Sequence, residues 1–400
     1  MIINNLFFDA KLKIKEKVWL TIVCFYFIVV LMIDVFPFLG EQSELMDFGS
    51  FYASGLHIRN GENPYSPDSE YVWKFNFSRV NAGGTMINLN PPITAMIFGY
   101  IARFDPHKAF KTWQAISAIL FTVLIFALTA VYQKNITPAV FIWAFTLAGF
   151  WQTLTLGQIY VFLLLFVVLG WISIRKNRYI LAGLAIGVVV AVKPNFILWP
   201  IFLLVSGYYV IFLVSVISSL LISLIPVLFY GVRVYEQWLQ ASSLRIETLI
   251  LPGNSSILGL TARFNEITAG IIISIILVCT LLYLSKRNTS TGIESAEHIS
   301  ALGIIASILA SPISWVGYTM FLLPIFCSMK KWNYPVIVSA VILSIPFGFI
   351  PKLWQTSFLN FVIFGWFYGW GILSLLGAVI KNIMMTSRIQ RNGLASRREI

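Results

Sequence analysis

Apolar runs of membrane-spanning length dominate the chain, broken by short polar or basic punctuation. A helix needs roughly 20 predominantly apolar residues to cross a bilayer. By that measure, candidate crossings lie at 18–39, 112–132, 138–155, 158–174, 179–193, 195–207, 208–230, 269–285, 298–311, 313–329, 334–350 and 358–380. The stretch 195–230 holds two crossings only if the chain turns tightly at Gly207. Another apolar stretch, 90–104, opens on Asn90-Pro91-Pro92 and is too short to cross, so it is expected to be half-inserted or interfacial. The pattern predicts an all-α polytopic membrane protein with about twelve transmembrane helices. Residues 1–380 form one transmembrane domain, the polar stretches 40–111 and 231–268 are its long outer loops, and 381–400 is a basic tail.

Basic clusters set the orientation, because Lys and Arg near span ends favour the cytoplasm. Lys11, Lys13, Lys15 and Lys17 precede the first run and put the N-terminus inside. Arg175, Lys176 and Arg178, then Lys286-Arg287, Lys330-Lys331 and the tail (Lys381, Arg388, Arg391, Arg397, Arg398) all fall inside if 90–104 does not cross. Both termini are then cytoplasmic, at the cost of leaving Arg103, Lys108 and Lys111 outside. The first run exceeds a signal-peptide core and has no small-residue cleavage site after it, so it is expected to stay as an uncleaved helix.

Composition agrees with the periodicity. Hydrophobic residues make up 58% of the 400 positions and charged residues 11%, less than half the fraction usual for a soluble domain. The formal charge of +12 raises the question of nucleic acid, but its distribution in short clusters between apolar runs fits membrane topology instead. Cys24, Cys279 and Cys327 are scattered through apolar runs and imply neither a disulfide framework nor a metal site; His57, His107 and His298 show no ligand spacing.

Polar residues near a bilayer are costly, which makes their positions informative. In this topology several unusual patches share the outer side. They are Asp47 with Phe48, Phe51 and Tyr52; Gly61-Glu62-Asn63-Pro64-Tyr65; Asn90-Pro91-Pro92; Gly157-Gln158; Lys193-Pro194-Asn195; Asn254-Ser255-Ser256 with Arg263; and Ser311-Pro312-Ile313-Ser314-Trp315. Each also has a structural explanation. Asp47 suits a helix cap, the prolines a helix start, Gln158 a bond between helices, Lys193 a snorkelling anchor, Asn254 a turn, Arg263 a span flank, and Trp315 an interfacial belt. Gly183 and Gly187 fit close helix packing.

Taken in order, Asp47 with its aromatic stretch, "GENPY", "NLNPP", "GQIY", "VKPN", "NSSILGL" through Arg263, and "SPISW" resemble the bacterial polyprenol-phosphate-mannose-dependent alpha-mannosyltransferases of glycosyltransferase family eighty-seven, over residues 45 to 325 or so. The resemblance implies a GT-C-type fold in the plasma membrane with its site on the extracytoplasmic face. It also implies a metal-independent, inverting transfer that needs no cofactor. The donor would be a polyprenyl-phosphate sugar, usually mannose, and the acceptor a glycolipid or glycan; no nucleic acid is expected as a partner. Asp47 matches the position of the acidic residue in the first outer loop that the resemblance implies to be the base. Family members often carry histidine after the Ser-Trp pair; here the chain has Val316, Gly317 and Tyr318.

Chemistry gives the other residues their expected roles. One carboxylate suffices for an inverting transfer, because the acceptor is the nucleophile and a lipid phosphate leaves without protonation. The phosphate gains charge and needs cationic or hydrogen-bonding partners. Lys193, Arg263, Gln158 and Asn254 are expected to supply them, with Tyr52, Tyr65, Asn90 and Trp315 lining the pocket. Two other functions remain open: a lipid-linked sugar flippase or transporter, and a family member that has lost activity.

Overall fold

The computed structural model describes residues 14–35, 45–77, 82–133, 135–243, 246–287, 293–354 and 356–396. They form a helical bundle, with one small antiparallel hairpin in the first long polar stretch, Lys74–Phe77 pairing with Ala82–Thr85. Six helices are long and apolar enough to cross a membrane, or seven if one bent pair counts as a single span. Glu16–Ile33, Pro106–Val131, Pro138–Leu156, Tyr209–Tyr230, Ile267–Arg287 and Phe367–Met385 are the six. The chain is therefore a polytopic membrane protein. The remaining expected crossings correspond to shorter apolar helices such as Tyr160–Arg175 and Tyr179–Val192.

Helix starts follow local chemistry. Asp105 caps Pro106–Val131 by accepting from the Lys108 N–H at 2.9 Å, and Thr137 caps Pro138–Ala144 through the Val140 N–H. In both, proline fills the first turn, where its missing N–H costs nothing. Pro92–Ile101 begins the same way after Pro91. Its ten residues rise only about 15 Å, against the ~30 Å of a hydrocarbon core.

Three expected runs are interrupted. The run 138–155 breaks into Pro138–Ala144 and Ala148–Leu156, and 313–329 begins as a 3-10 helix, Val316–Leu322, before Leu323–Ser328. The run 334–350 stops at Ser344 and resumes beyond Pro346, with a bend of 71°. Pro346 lacks the N–H that would continue the ladder and disfavours helical backbone before it. The first run is helical over Ile14–Val30 and π-helical over Leu31–Val35; its last residues, 36–39, lie outside the described ones.

The turn expected at Gly207 is present, with φ +91°, and delivers the chain directly into Tyr209–Tyr230. That helix packs against Tyr179–Val192 through the expected glycines: a Cβ on Gly187 would lie 2.7 Å from the Ser215 carbonyl, and one on Gly183 would lie 2.9 Å from that of Ile211. Backbones this close need glycine. The helix Tyr160–Arg175 runs through the core and separates its two ends by about 22 Å. At the Arg175 end, Glu297 accepts from Arg175 at 2.8 Å and from the Tyr132 hydroxyl at 2.5 Å, while the Trp171 N–H donates to Tyr132. The pairing gives the buried Glu297 carboxylate a half-exposed cation and two further polar partners in one network.

Candidate functional site

Asp47 sits in the first turn of the helix Met46–Arg59, where the helix dipole favours negative charge. It is not the cap, since Leu45 holds that position. Only 7% of the residue is exposed. The adjacent helix Ala148–Leu156 ends at Gly157, whose φ of +68° is the left-handed conformation that glycine adopts freely at a helix C-terminus. Its missing side chain also matters, because a Cβ there would lie 2.6 Å from both Phe48 and the Phe110 ring. That contact draws the two segments together, and the Gln158 carboxamide donates to Asp47 Oδ2.

The other carboxylate oxygen, Oδ1, is buried without a partner among the described residues. Asp47 is one of the residues that line a cavity of about 120 Å³. Burial raises the Asp47 pKa from 3.8 to about 6, against the opposing pull of the Gln158 hydrogen bond and the Lys193 charge. At neutral pH the group is thus still largely ionised, yet a stronger base than a solvated aspartate.

Lys193 ends the helix Tyr179–Val192, immediately before Pro194 starts a 3-10 turn. Its ammonium lies 5.2 Å from the Tyr160 ring centroid and 5.4 Å from that of Tyr318, within the range of cation–π attraction. The two rings meet edge to face at 4.9 Å. This places the ammonium on two rings, close enough to Asp47 for the two charges to act on each other but without a direct ion pair among the described residues.

Of the residues expected from sequence, Asp47, Gln158 and Trp315 line the cavity. The others have different surroundings. Asn254 is fully buried and bonds to backbone: its Nδ2 donates to the Leu249 carbonyl at 2.9 Å, and its Oδ1 accepts from the N–H groups of Ser256 and Ser314. It thereby stitches the second polar stretch to Ser311–Trp315, while its neighbour Gly253 reaches the cavity wall. Arg263 donates to the carbonyls of Gly259, Leu251 (2.9 Å) and Gly365 (2.7 Å). Burial lowers its pKa to about 9. Its guanidinium ties three segments together and does not line the cavity. The Tyr52 hydroxyl donates to Phe104 O, and that of Tyr65 to Asn90 O. Tyr52, Tyr65 and Asn90 support the helix of Asp47 from outside the cavity. Phe48 and Phe51 pack into the aromatic core with Phe98.

Sequence reasoning missed Trp73, Met86, Gln152, Thr153 and Tyr160 in the cavity wall. Thr153 is the most informative, because its buried hydroxyl has no partner among the described residues, not even its own helix backbone. The one available signal was Gln152-Thr153, a polar pair within an apolar run one turn before Gly157. Val316 and Gly317 also line the cavity, so the segment after Ser314-Trp315 belongs to the site with the residues this chain carries. Among the described residues, no group of three or more His, Cys, Asp or Glu side chains is arranged to hold a metal ion.

Asp47, with its raised pKa, is thus part of the wall of a mostly apolar chamber, and the Lys193 ammonium, outside that wall, rests on Tyr160, which is part of it. A family model described as Glycosyltransferase family 87 matches residues 88–312, more than half of the chain. Asp47 precedes the matched stretch and Trp315 follows it. No curated protein and no solved structure matches significantly.

Proposed function

Since the chain belongs to glycosyltransferase family 87 and is a membrane glycosyltransferase, we propose that it moves a sugar, mannose, from a polyprenyl-phosphate donor to a glycolipid or glycan acceptor outside the cytoplasm, with inversion and with Asp47 as general base. The observation that carries this reading is Asp47 itself. One oxygen is held by Gln158, the other has no partner among the described residues, the residue lines a chamber, and its pKa is lifted to about 6.

In the proposed reaction, an acceptor hydroxyl gives its proton to Asp47 Oδ1 as its oxygen attacks the anomeric carbon. The bond from that carbon to the phosphate oxygen breaks on the opposite face, and the electron pair leaves with the lipid phosphate. Lys193 offsets the charge that develops there. Trp73, Trp315, Tyr160 and Phe347 give the sugar faces and the first prenyl units apolar surface. A lipid donor keeps its tail in the bilayer while its head group enters the chamber. The site needs no cofactor in this scheme.

The test is incubation of the purified protein with labelled polyprenyl-phosphate mannose and a mixed glycolipid extract. Labelled glycolipid supports the reading. Translocation of the donor across vesicles without product would replace the transferase with a flippase, and neither outcome would mark an inactive member.

A further inference from the structure

A second cavity lies away from Asp47. It has a volume of about 590 Å³ and opens between the first helix, the helix Pro138–Ala144 and the helix Tyr334–Ser344. Lys330 and Asn135, on its rim, belong to the Arg175 end of the bundle: Lys330 pairs with Glu294, in the first turn of the helix that carries Glu297, and Asn135 follows Tyr132. The cavity is therefore separated from the Asp47 site by roughly the length of the central helix, about 22 Å.

Its wall is graded. One part is polar and basic, with Lys330, Lys331, Asn135 and Thr137, opposed by the single acid Glu16. Lys331 has no ion-pair partner among the described residues. Three tryptophans, Trp19, Trp143 and Trp332, stand among these residues, the side chain suited to the headgroup boundary. The rest is aliphatic: Leu20, Val23, Val140, Ile337, Ala340 and Val341. Only 6% of the spanning window of the first helix is buried in the protein, so most of its surface is open to lipid. The direct tie from the Tyr26 hydroxyl to the Ser344 carbonyl, at 2.7 Å, lies further along it.

We propose that this cavity is the binding site of one anionic phospholipid, whose phosphate meets Lys330 and Lys331 and whose acyl chain fills the aliphatic part, joining the first helix to the bundle. A basic pocket between helices with an aliphatic continuation matches both halves of such a lipid, and Lys331, which has no ion pair among the described residues, favours a net negative headgroup over a zwitterionic one, whose choline offsets its phosphate. The site is independent of the transfer reaction.

The experiment uses the full-length protein, delipidated in mild detergent and titrated with phosphatidylglycerol or phosphatidylcholine under native mass spectrometry. The expected result is one phosphatidylglycerol retained in preference to phosphatidylcholine. Lys330→Gln and Lys331→Gln should each weaken that retention roughly fivefold, and the pair about 25-fold. Ala139→Trp, which fills the cavity and leaves the lysines in place, should abolish it in protein that still elutes as a single species. Inorganic phosphate at millimolar concentration should not displace the lipid. Equal retention of both lipids, retention unchanged in these variants, displacement by phosphate alone, or no retention by well-folded protein would each overturn the proposal.

Discussion

Replacing Asp47 by Asn should abolish transfer and at the same time make the protein more stable. The carboxylate is held buried at a pKa of about 6 against an ordinary 3.8. A difference of two units corresponds to roughly 3 kcal/mol by which folding is opposed once the group is ionised in both states. Between about pH 4 and pH 6 the folded chain holds a proton that the unfolded chain has released. Stability from this residue is therefore present at low pH and lost as pH rises through 6. Asparagine removes the charge, but its amide group takes the place of an oxygen and adds a buried donor costing about 1–2 kcal/mol. The net gain near pH 7.5 is then about 1–2 kcal/mol, and the charge contribution falls by about half at pH 5. Loss of a general base typically costs 10²–10⁴-fold in rate, as a range of about two decades. Thermal unfolding of wild type and variant at about pH 7.5 and pH 5, together with transfer rates from labelled donor, reads both effects. Transfer by Asp47→Asn at the normal rate would refute the assignment of the base. A variant less stable near neutral pH, with the deficit shrinking on acidification, would refute the electrostatic account of the site.

Three further outcomes follow from the same geometry. Gln158→Leu removes the hydrogen bond that holds the Asp47 pKa down, so the acidic limb of the transfer profile, centred near pH 6 in wild type, should move to higher pH; pH–rate curves measure it. Lys193→Ala should raise the KM for the lipid donor more than that for the acceptor, and the opposite split would assign the lysine to the acceptor. Arg263→Ala leaves the carbonyls of Leu251 and Gly365 without their donor, so it should lower stability by about 3 kcal/mol or more, as read by thermal unfolding, with little change in donor KM for the protein that remains folded.

Much of the site was legible because polar residues in an apolar chain are few and costly. Asp47, Gln158, Lys193 and Trp315 stood out for that reason; Asp47, Gln158 and Trp315 line one chamber, and Lys193 lies behind its Tyr160 wall. The same reasoning placed Asn254 and Arg263 on the ligand, but their hydrogen-bonding groups serve backbone carbonyls and N–H groups at loop and helix ends. The partner Gly365 lies 102 residues beyond Arg263, and no local pattern connects them. Thr153 was hidden by the opposite effect, since threonine within a helix ordinarily bonds to its own backbone. Among the helices, Gly207 and the prolines at 92 and 138 marked boundaries through their own dihedral limits, whereas the span expected from 112 belongs to a helix that starts earlier, at Pro106. The interruptions at 145–147 and 316–322 arise from tertiary packing, where Gly149 lies against Thr319 and Val316, and hydropathy does not register that.

The bond between Gln158 and Asp47 joins positions 111 residues apart, and Phe347 and Pro351 close the same chamber. During synthesis, the acid emerges long before its clamp, and the last wall follows almost two hundred residues later. A ribosome-bound chain therefore carries a solvated, ordinary aspartate and no enclosed space for a sugar. The chamber is complete only once nearly the whole chain has entered the membrane.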